Sequence, residues 1–195
     1  MSIEFWFEFA STYSYPAAMR VEAVAARYGR SVVWRPFLLG PIFKSQGWQD
    51  SPFNIYPAKG RYMWRDLERI CEGLQIPFKR PTQFPRNGLH AARVVAAARD
   101  EAWVPAFVRN VYLASFAHDL DIADAEVLKS CLHGLTRDPQ AWLAASHEDA
   151  AKAWLRENTE RAVALGIFGA PSFSSGSELF WGNDRLEAAL EWCAS

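Results

Sequence analysis

The sequence predicts an α/β fold in two separated pieces, a β-α-β unit at the start and a β-β-α unit at the end, with an all-helical block between them. Three observations predict it. Residues 3–9, IEFWFEF, form an apolar, aromatic-rich run that suits a strand buried on both faces. Apolar residues then recur at helical spacing through most of residues 42–166. Beyond residue 166 the pattern returns to short apolar runs separated by a serine and glycine turn.

Taken in order, the first strand empties into Ser11-Thr12-Tyr13-Ser14. Tyr15, Met19, Val21, Val24, Ala25 and Tyr28 carry a helix over 13–28, and Gly29 closes it at the position after the C-cap. Residues 31–37, SVVWRPF, are β-branched and aromatic and stop near Pro36 and Gly40-Pro41. A β-α-β order makes the two strands parallel, with a right-handed crossover. In the helical block, Met63, Leu67, Ile70, Cys71 and Leu74 form one stripe, and Asn87 caps a run over 89–102. Pro105 stands at the favoured start of a further helix through Phe107, Val111 and Ala114, and another spans 124–133. Ser146 and Asp149 have capping-box spacing before a helix over 150–165 that ends at Gly166. Residues 167–173 and 178–182 read as a hairpin across a four-residue loop, 174–177, and 183–193 as a last amphipathic helix. This order is that of a thioredoxin-like fold interrupted by an all-helical insertion. Residues 1–41 and 167–195 make the thioredoxin-like domain and 42–166 the insertion domain.

Half of the 195 residues are apolar, so the chain can bury a sizeable core. The net charge of −1 provides no field that would draw the protein to nucleic acid or membrane. Its distribution is uneven: residues 1–93 hold 13 Lys/Arg against 7 Asp/Glu, and residues 94–195 hold 8 against 15. That split suits a small anionic ligand handled by the first half, and a balanced solvated surface would also produce it. No apolar stretch approaches the roughly 20 residues of a membrane span and no leader pattern opens the chain, which predicts a cytoplasmic protein. Cys71, Cys131 and Cys193 are far apart and never in metal-ligand spacing, and read as buried, inert thiols. His90, His118, His133 and His147 are scattered, with no metal or hydrolase motif. Asp119 and Asp121 read as loop and cap residues. Trp48, Tyr62 and Trp64 fit either core packing or an aromatic pocket.

The chemistry gathers at the first strand-to-helix junction, where free backbone N–H groups and the positive end of the helix favour an anion. Ser11 falls there, and Ser14 three positions on. With S-T-Y-S in place of two cysteines, dithiol exchange through this motif is excluded. A hydroxyl can instead donate a hydrogen bond to a thiolate brought by another molecule. A thiol with a pKa near ~8.5 is only a few per cent ionised at neutral pH, and each pH unit of depression represents roughly 1.4 kcal/mol of stabilisation of the anion. Taken alone, Ser11 also fits a simple helix N-cap. In Gly169-Ala170-Pro171-Ser172-Phe173, a cis X-Pro bond, found in only about 5% of such bonds, would turn the preceding backbone outward to pair with an extended peptide; a trans proline would start an edge strand.

Considered together, FEFASTYSY (7–15), RPFLLGPIFKSQG (35–47), the set Asn54, Pro57, Lys59, Tyr62, Asp66 and Arg69, FPRN (84–87), GIFGAPSF (166–173) and LFWGNDRL (179–186) span nearly the whole chain. In this order they resemble the 2-hydroxychromene-2-carboxylate isomerase family, kin of kappa-class glutathione transferases within the DsbA-like thioredoxin superfamily. The resemblance implies a cytoplasmic homodimer that isomerises an aromatic catabolite, interconverting 2-hydroxychromene-2-carboxylate and trans-o-hydroxybenzylidenepyruvate with reduced glutathione as reusable cofactor. Ser11 would support the glutathione thiolate, which adds reversibly to the conjugated enone and allows rotation before elimination. Ala170, before Pro171, would offer its backbone to the cysteinyl part. Trp181, Gly182, Asn183 and Asp184 would form the γ-glutamyl subsite, with Asp184 on the ammonium. Lys44, Asn54, Lys59 and Phe84 would face the substrate, Lys44 holding a carboxylate and polarising the enolate. Outside the resemblance, Lys44 reads as a surface lysine and Asn54 as a loop residue. The chain departs from the family at Thr12 and Pro16, where proline and leucine are usual, and at Ser174-Ser175, which replace bulkier apolar residues. Two other functions fit the same features: a kappa-type transferase or peroxidase that consumes glutathione, and a non-catalytic thioredoxin-fold protein that binds a partner beside its proline strand.

Overall fold

The computed structural model describes residues 2–194. Its four-stranded sheet has the order β2-β1-β3-β4, with β1 at Ser2–Phe7, β2 at Ser31–Pro36, β3 at Ser172–Ser175 and β4 at Glu178–Trp181. β1 is central and pairs parallel with β2, from Ser2 opposite Ser31 to Phe7 opposite Pro36. β3 runs antiparallel to both β1 and β4. Helix α1 (Ser14–Arg27) crosses between β1 and β2. The helical block follows as α2 (Leu39–Ser45), α3 (Pro52–Ile55), α4 (Pro57–Leu74), α5 (Leu89–Ala97), α6 (Val104–Phe116), α7 (Ala125–Leu132), α8 (Pro139–Ala145) and α9 (Asp149–Ala164). After the hairpin, a 3-10 turn at Asn183–Arg185 leads into α10 (Leu186–Ala194). The thioredoxin-like order expected from the sequence is present.

The alternation of β1 places its residues in two cores. Ile3, Phe5 and Phe7 join a large cluster with α1, Phe173, α10 and the helices from α4 to α9. Trp6 enters a second cluster with Phe37, Leu39, Ile42, Ala162 and Ile167 on the opposite face. Each such aromatic or aliphatic side chain contributes roughly 1.5–3 kcal/mol on burial, which explains why Ile3, Phe5, Trp6 and Phe7 of this strand are apolar on both faces.

The hairpin is displaced from its expected position. The sequence placed the second-to-last strand at 167–173 and a turn at 174–177, but the strand is Ser172–Ser175 and the turn shrinks to Gly176-Ser177, with Gly176 at φ 59°. Ser174 is tolerated inside the sheet because its hydroxyl accepts from Trp6 Nε1 at 2.9 Å and donates to Glu4 Oε2 at 3.1 Å. The helix expected over 89–102 stops at Ala97, because consecutive turns at Glu101 and Val104 redirect the chain into α6. Asn87 Oδ1 accepts from Leu89 N–H at 3.0 Å, but the N-cap of α5 is Gly88, one residue after the expected position. The Ser146–Asp149 capping box is absent. Ser146 Oγ donates back to Leu143 O at 2.6 Å, closing α8, while Asp149 pairs with Lys152.

Two polar clamps hold loops that line a cavity beside the sheet. Asn158 Nδ2 donates to Pro36 O at 2.5 Å, and Thr159 Oγ1 accepts from Leu38 N–H at 3.2 Å, so α9 fixes the exit from β2. Arg86, almost fully buried, pairs with Asp119 and donates to the carbonyls of Ser115 and Leu120, which pins the loop before α5. Thr82 N–H and then Arg86 hold the Asp119 carboxyl down at about 2.

Candidate functional site

The residues Glu8 to Ser11 form a tight turn out of β1, closed by Ser11 N–H donating to Glu8 O at 2.9 Å. Ser11 then links three segments. Its Oγ donates to Ala170 O at 2.8 Å and accepts from Ser14 N–H, the first residue of α1, at 3.3 Å. The Ala170–Pro171 and Phe84–Pro85 peptide bonds are both cis. Gly182 N–H donates to Pro171 O at 3.0 Å, which ties the end of β4 to the proline loop.

These segments wall a cavity of about 870 Å³. Ser11, Thr12 and Tyr13 line it, with Phe43, Trp48, Phe53, Phe84, Gly88, Ala170 and Trp181. The lining is dominated by apolar and aromatic side chains with a few polar groups, the character of a small-molecule site. Thr12 Oγ1 is buried with no hydrogen-bond partner among the described residues. Tyr13 OH donates to Asp66 Oδ2 at 2.9 Å, and burial with this bond pushes the phenol well above its usual range. Lys59 Nζ lies 4.8 Å from the Tyr56 ring centre and also lines the cavity. Phe84 packs edge-on against Trp64, ring centres 4.9 Å apart.

Of the site residues drawn from the sequence, Ser11, Ala170, Trp181, Lys59 and Phe84 meet at this cavity. Pro171 sits behind Ala170. Gly182 takes φ 114°, and a Cβ there would lie 2.6 Å from Asp184 Oδ1, so the carboxylate folds over a position that needs glycine. Asp184 is exposed and pairs with Arg185 at 3.1 Å. Asn183 is buried, its Oδ1 accepting from Arg20 Nε at 3.0 Å, while Arg20 also grips the Glu187 carboxylate. Lys44 is exposed near the end of α2, outside the lining. Asn54 Nδ2 donates to Asp50 and, at 3.3 Å, to Phe84 O, bracing the loop and not facing the cavity. Trp48 lines the cavity, Trp64 packs in the core and Tyr62 is exposed.

Other sequence readings find their places too. Burial pushes the Cys71 thiol up to about 12 and the Cys131 thiol to about 11, as expected of inert thiols, whereas Cys193, read with them as buried, is only half-buried. His90 and His147, far apart in sequence, bring their rings to 4.8 Å. Among the described residues no group of three His, Cys, Asp or Glu could hold a metal ion, and no helix is long and apolar enough to cross a membrane.

The sequence reading missed Glu8, Arg20 and Arg86. Glu8 lines the cavity, and burial raises its carboxyl to about 7, against one stabilising bond from Ala10 N–H. A carboxylate within the apolar run FWFEFA, three residues before Ser11, was the available signal. Arg20 acts through contacts distant in sequence and left none, while Arg86 stood inside the motif FPRN without a role of its own.

A family model described as a DSBA-like thioredoxin domain matches residues 2–191. The 2-hydroxychromene-2-carboxylate isomerase of Sphingobium xenophagum is 30% identical over 188 residues, covering 95% of this chain and 94% of that protein. The chain belongs to the 2-hydroxychromene-2-carboxylate isomerase family of DsbA-like proteins. A kappa-class glutathione S-transferase of Homo sapiens is 24% identical over 200 residues, covering 95% of this chain and 88% of the relative. A solved structure of 2-hydroxychromene-2-carboxylate isomerase superposes with a TM-score of 0.83 at 27% identity, covering 98% of this chain and 95% of that one. Family and fold thus agree with the resemblance drawn from FEFASTYSY, GIFGAPSF and LFWGNDRL.

Proposed function

We propose that this protein is a glutathione-dependent cis–trans isomerase of aromatic catabolites, acting between 2-hydroxychromene-2-carboxylate and trans-o-hydroxybenzylidenepyruvate or close analogues. One observation carries the reading: the Ser11 hydroxyl, oriented by Ala170 O and Ser14 N–H, opens on a largely apolar cavity of about 870 Å³. Membership of the isomerase family supports it. A tripeptide thiol fits the polar groups present, because Ser11 can turn its proton to a sulfur anion and the buried Thr12 hydroxyl beside it has no partner among the described residues. The bound thiol supplies a reversible nucleophile for the conjugated double bond.

The chain's own residues would then divide the work. Ser11 stabilises the sulfur anion by hydrogen bonding, at the mouth of α1 where backbone N–H groups add to it. The Ala170 backbone pairs with the cysteinyl peptide. Arg20 orders Asn183 so that the β4–α10 corner, with Asp184 exposed on it, can receive the γ-glutamyl group. Phe84, Trp48 and Phe43 offer ring faces to a planar aromatic acid, and Lys59 is the cavity-lining ammonium that can meet its carboxylate. Lys44 and Asn54 reach the substrate in this scheme only if the loop around Asp50 rearranges.

The test is ultraviolet monitoring of isomerisation with and without millimolar reduced glutathione. Turnover without glutathione, or no turnover with it, contradicts the proposal. The relationship to kappa-class transferases favours one second reading, conjugation, and loss of glutathione to an activated aryl halide at a rate above that of isomerisation would establish it.

A further inference from the structure

We propose that Glu8 is the proton acceptor of this site: its free carboxylate oxygen takes the proton of the thiol held by Ser11 and returns it when the thiol leaves. The proposal rests on the thiol-site reading above. Glu8 and Ser11 are the first and last residues of one turn, and both line the cavity. Glu8 Oε2 accepts from Ala10 N–H at 3.0 Å, while no donor among the described residues reaches Oε1 and no cation pairs with the carboxylate. Glu4, on the same strand, shows what a structural carboxylate of this sheet looks like: it is met by Arg35, Arg161 and the Ser174 hydroxyl. Glycine at 88 keeps the free oxygen clear, since a Cβ there would stand 3.3 Å from Oε1 and 2.6 Å from Phe9 Cβ.

The neighbouring ionisable groups leave the role to Glu8. Tyr112 OH donates to the Glu8 carbonyl at 2.9 Å and burial keeps it neutral. On the cavity wall, Arg86 is committed to Asp119 and Tyr13 to Asp66, while Lys59 lies over Tyr56 and Asp50 bonds Asn54. Burial holds the Glu8 carboxyl at about 7. That value is far closer to the ~8.5 of a free thiol than an ordinary carboxylate is, so the transfer is nearly balanced. In the step, the S–H bond breaks with its electron pair left on sulfur, and an O–H bond forms at Glu8 Oε1. The pair keeps one negative charge throughout, so no second anion is added beside the apolar cavity wall.

Reduced glutathione is titrated into the protein at a pH of about 7.5, where a free thiol is still mostly protonated, in two buffers of different ionisation heat. The ultraviolet band of the thiolate is read on the same samples. The wild type should show the band with almost no proton released to buffer. Glu8→Gln should either show the band and release about one proton per site, or bind glutathione without the band. The proposal is overturned by a wild-type band accompanied by about one released proton, by wild-type binding with no band, or by a Gln variant with the band and no release. Should the variant fail to fold, the wild-type buffer comparison decides alone. Absence of any binding is a separate result that removes the thiol site, and Glu8's part in it.

Discussion

Glu8 also makes a prediction that requires no ligand. Its carboxyl is raised from 4.5 to about 7 because burial disfavours the charged form. Between those values the folded protein keeps a proton that the unfolded chain gives up, so stability is complete below about 4.5 and falls as pH rises through about 7. At about 1.4 kcal/mol per pH unit the full penalty is about 3 kcal/mol, and the carboxyl's contact with the open cavity reduces it to about 2 kcal/mol. Glu8→Gln removes the titration while its amide oxygen can still accept from Ala10 N–H. Urea denaturation of both proteins, at intervals from roughly pH 4 to pH 8, should give a stability difference that moves in favour of the variant by about 2–3 kcal/mol with rising pH. Any fixed cost of the amide shifts the whole curve and leaves its slope intact. A difference that stays flat across the range would refute the assignment of a buried, proton-holding carboxyl.

Ser11→Ala should lower kcat/KM for isomerisation by about 100-fold, as for loss of one donor to a developing anion, with the glutathione half-saturation changed less than about threefold; steady-state kinetics with unchanged turnover would remove Ser11 from the chemistry. Arg20→Met should destabilise the fold by about 1–3 kcal/mol, since Asn183 is buried and loses its partner, and chemical denaturation indistinguishable from wild type would contradict that link. Gly182→Ala places a Cβ 2.6 Å from Asp184 Oδ1 at a φ of 114°. It should cost about 1–3 kcal/mol and raise the glutathione half-saturation by displacing Asp184, and an unaffected half-saturation would place the γ-glutamyl group elsewhere.

The strands and helices were legible where one local signal ruled. IEFWFEF had to be a central strand because both faces were apolar, and Pro105 and Asn87 marked helix starts through backbone chemistry that acts within a turn. The misread places were decided by partners far along the chain. Ser174 looked like a turn residue until Trp6 and Glu4 supplied its hydrogen bonds across the sheet, and Ser146 served the helix before it in preference to the one after. The site divides in the same way. Ser11 was singled out by its strand-to-helix junction together with the motif FEFASTYSY, since a serine at such a junction alone reads equally as a helix N-cap. Glu8 was not singled out, since what distinguishes it from Glu4 is its partners: Arg35, Arg161 and Ser174 meet Glu4 from far along the chain, whereas Glu8 is met by the Ala10 N–H.

The large apolar cluster takes side chains from β1 and β3 as readily as from the intervening helices. The helices are therefore no detachable lid: excising them would strip Phe5, Phe7 and Phe173 of their cover, and the sheet could not survive as a miniature protein. New substrate preferences in this scaffold must come from exchanges of single side chains along the cavity wall, because whole-module replacement would remove the shared core that supports that wall.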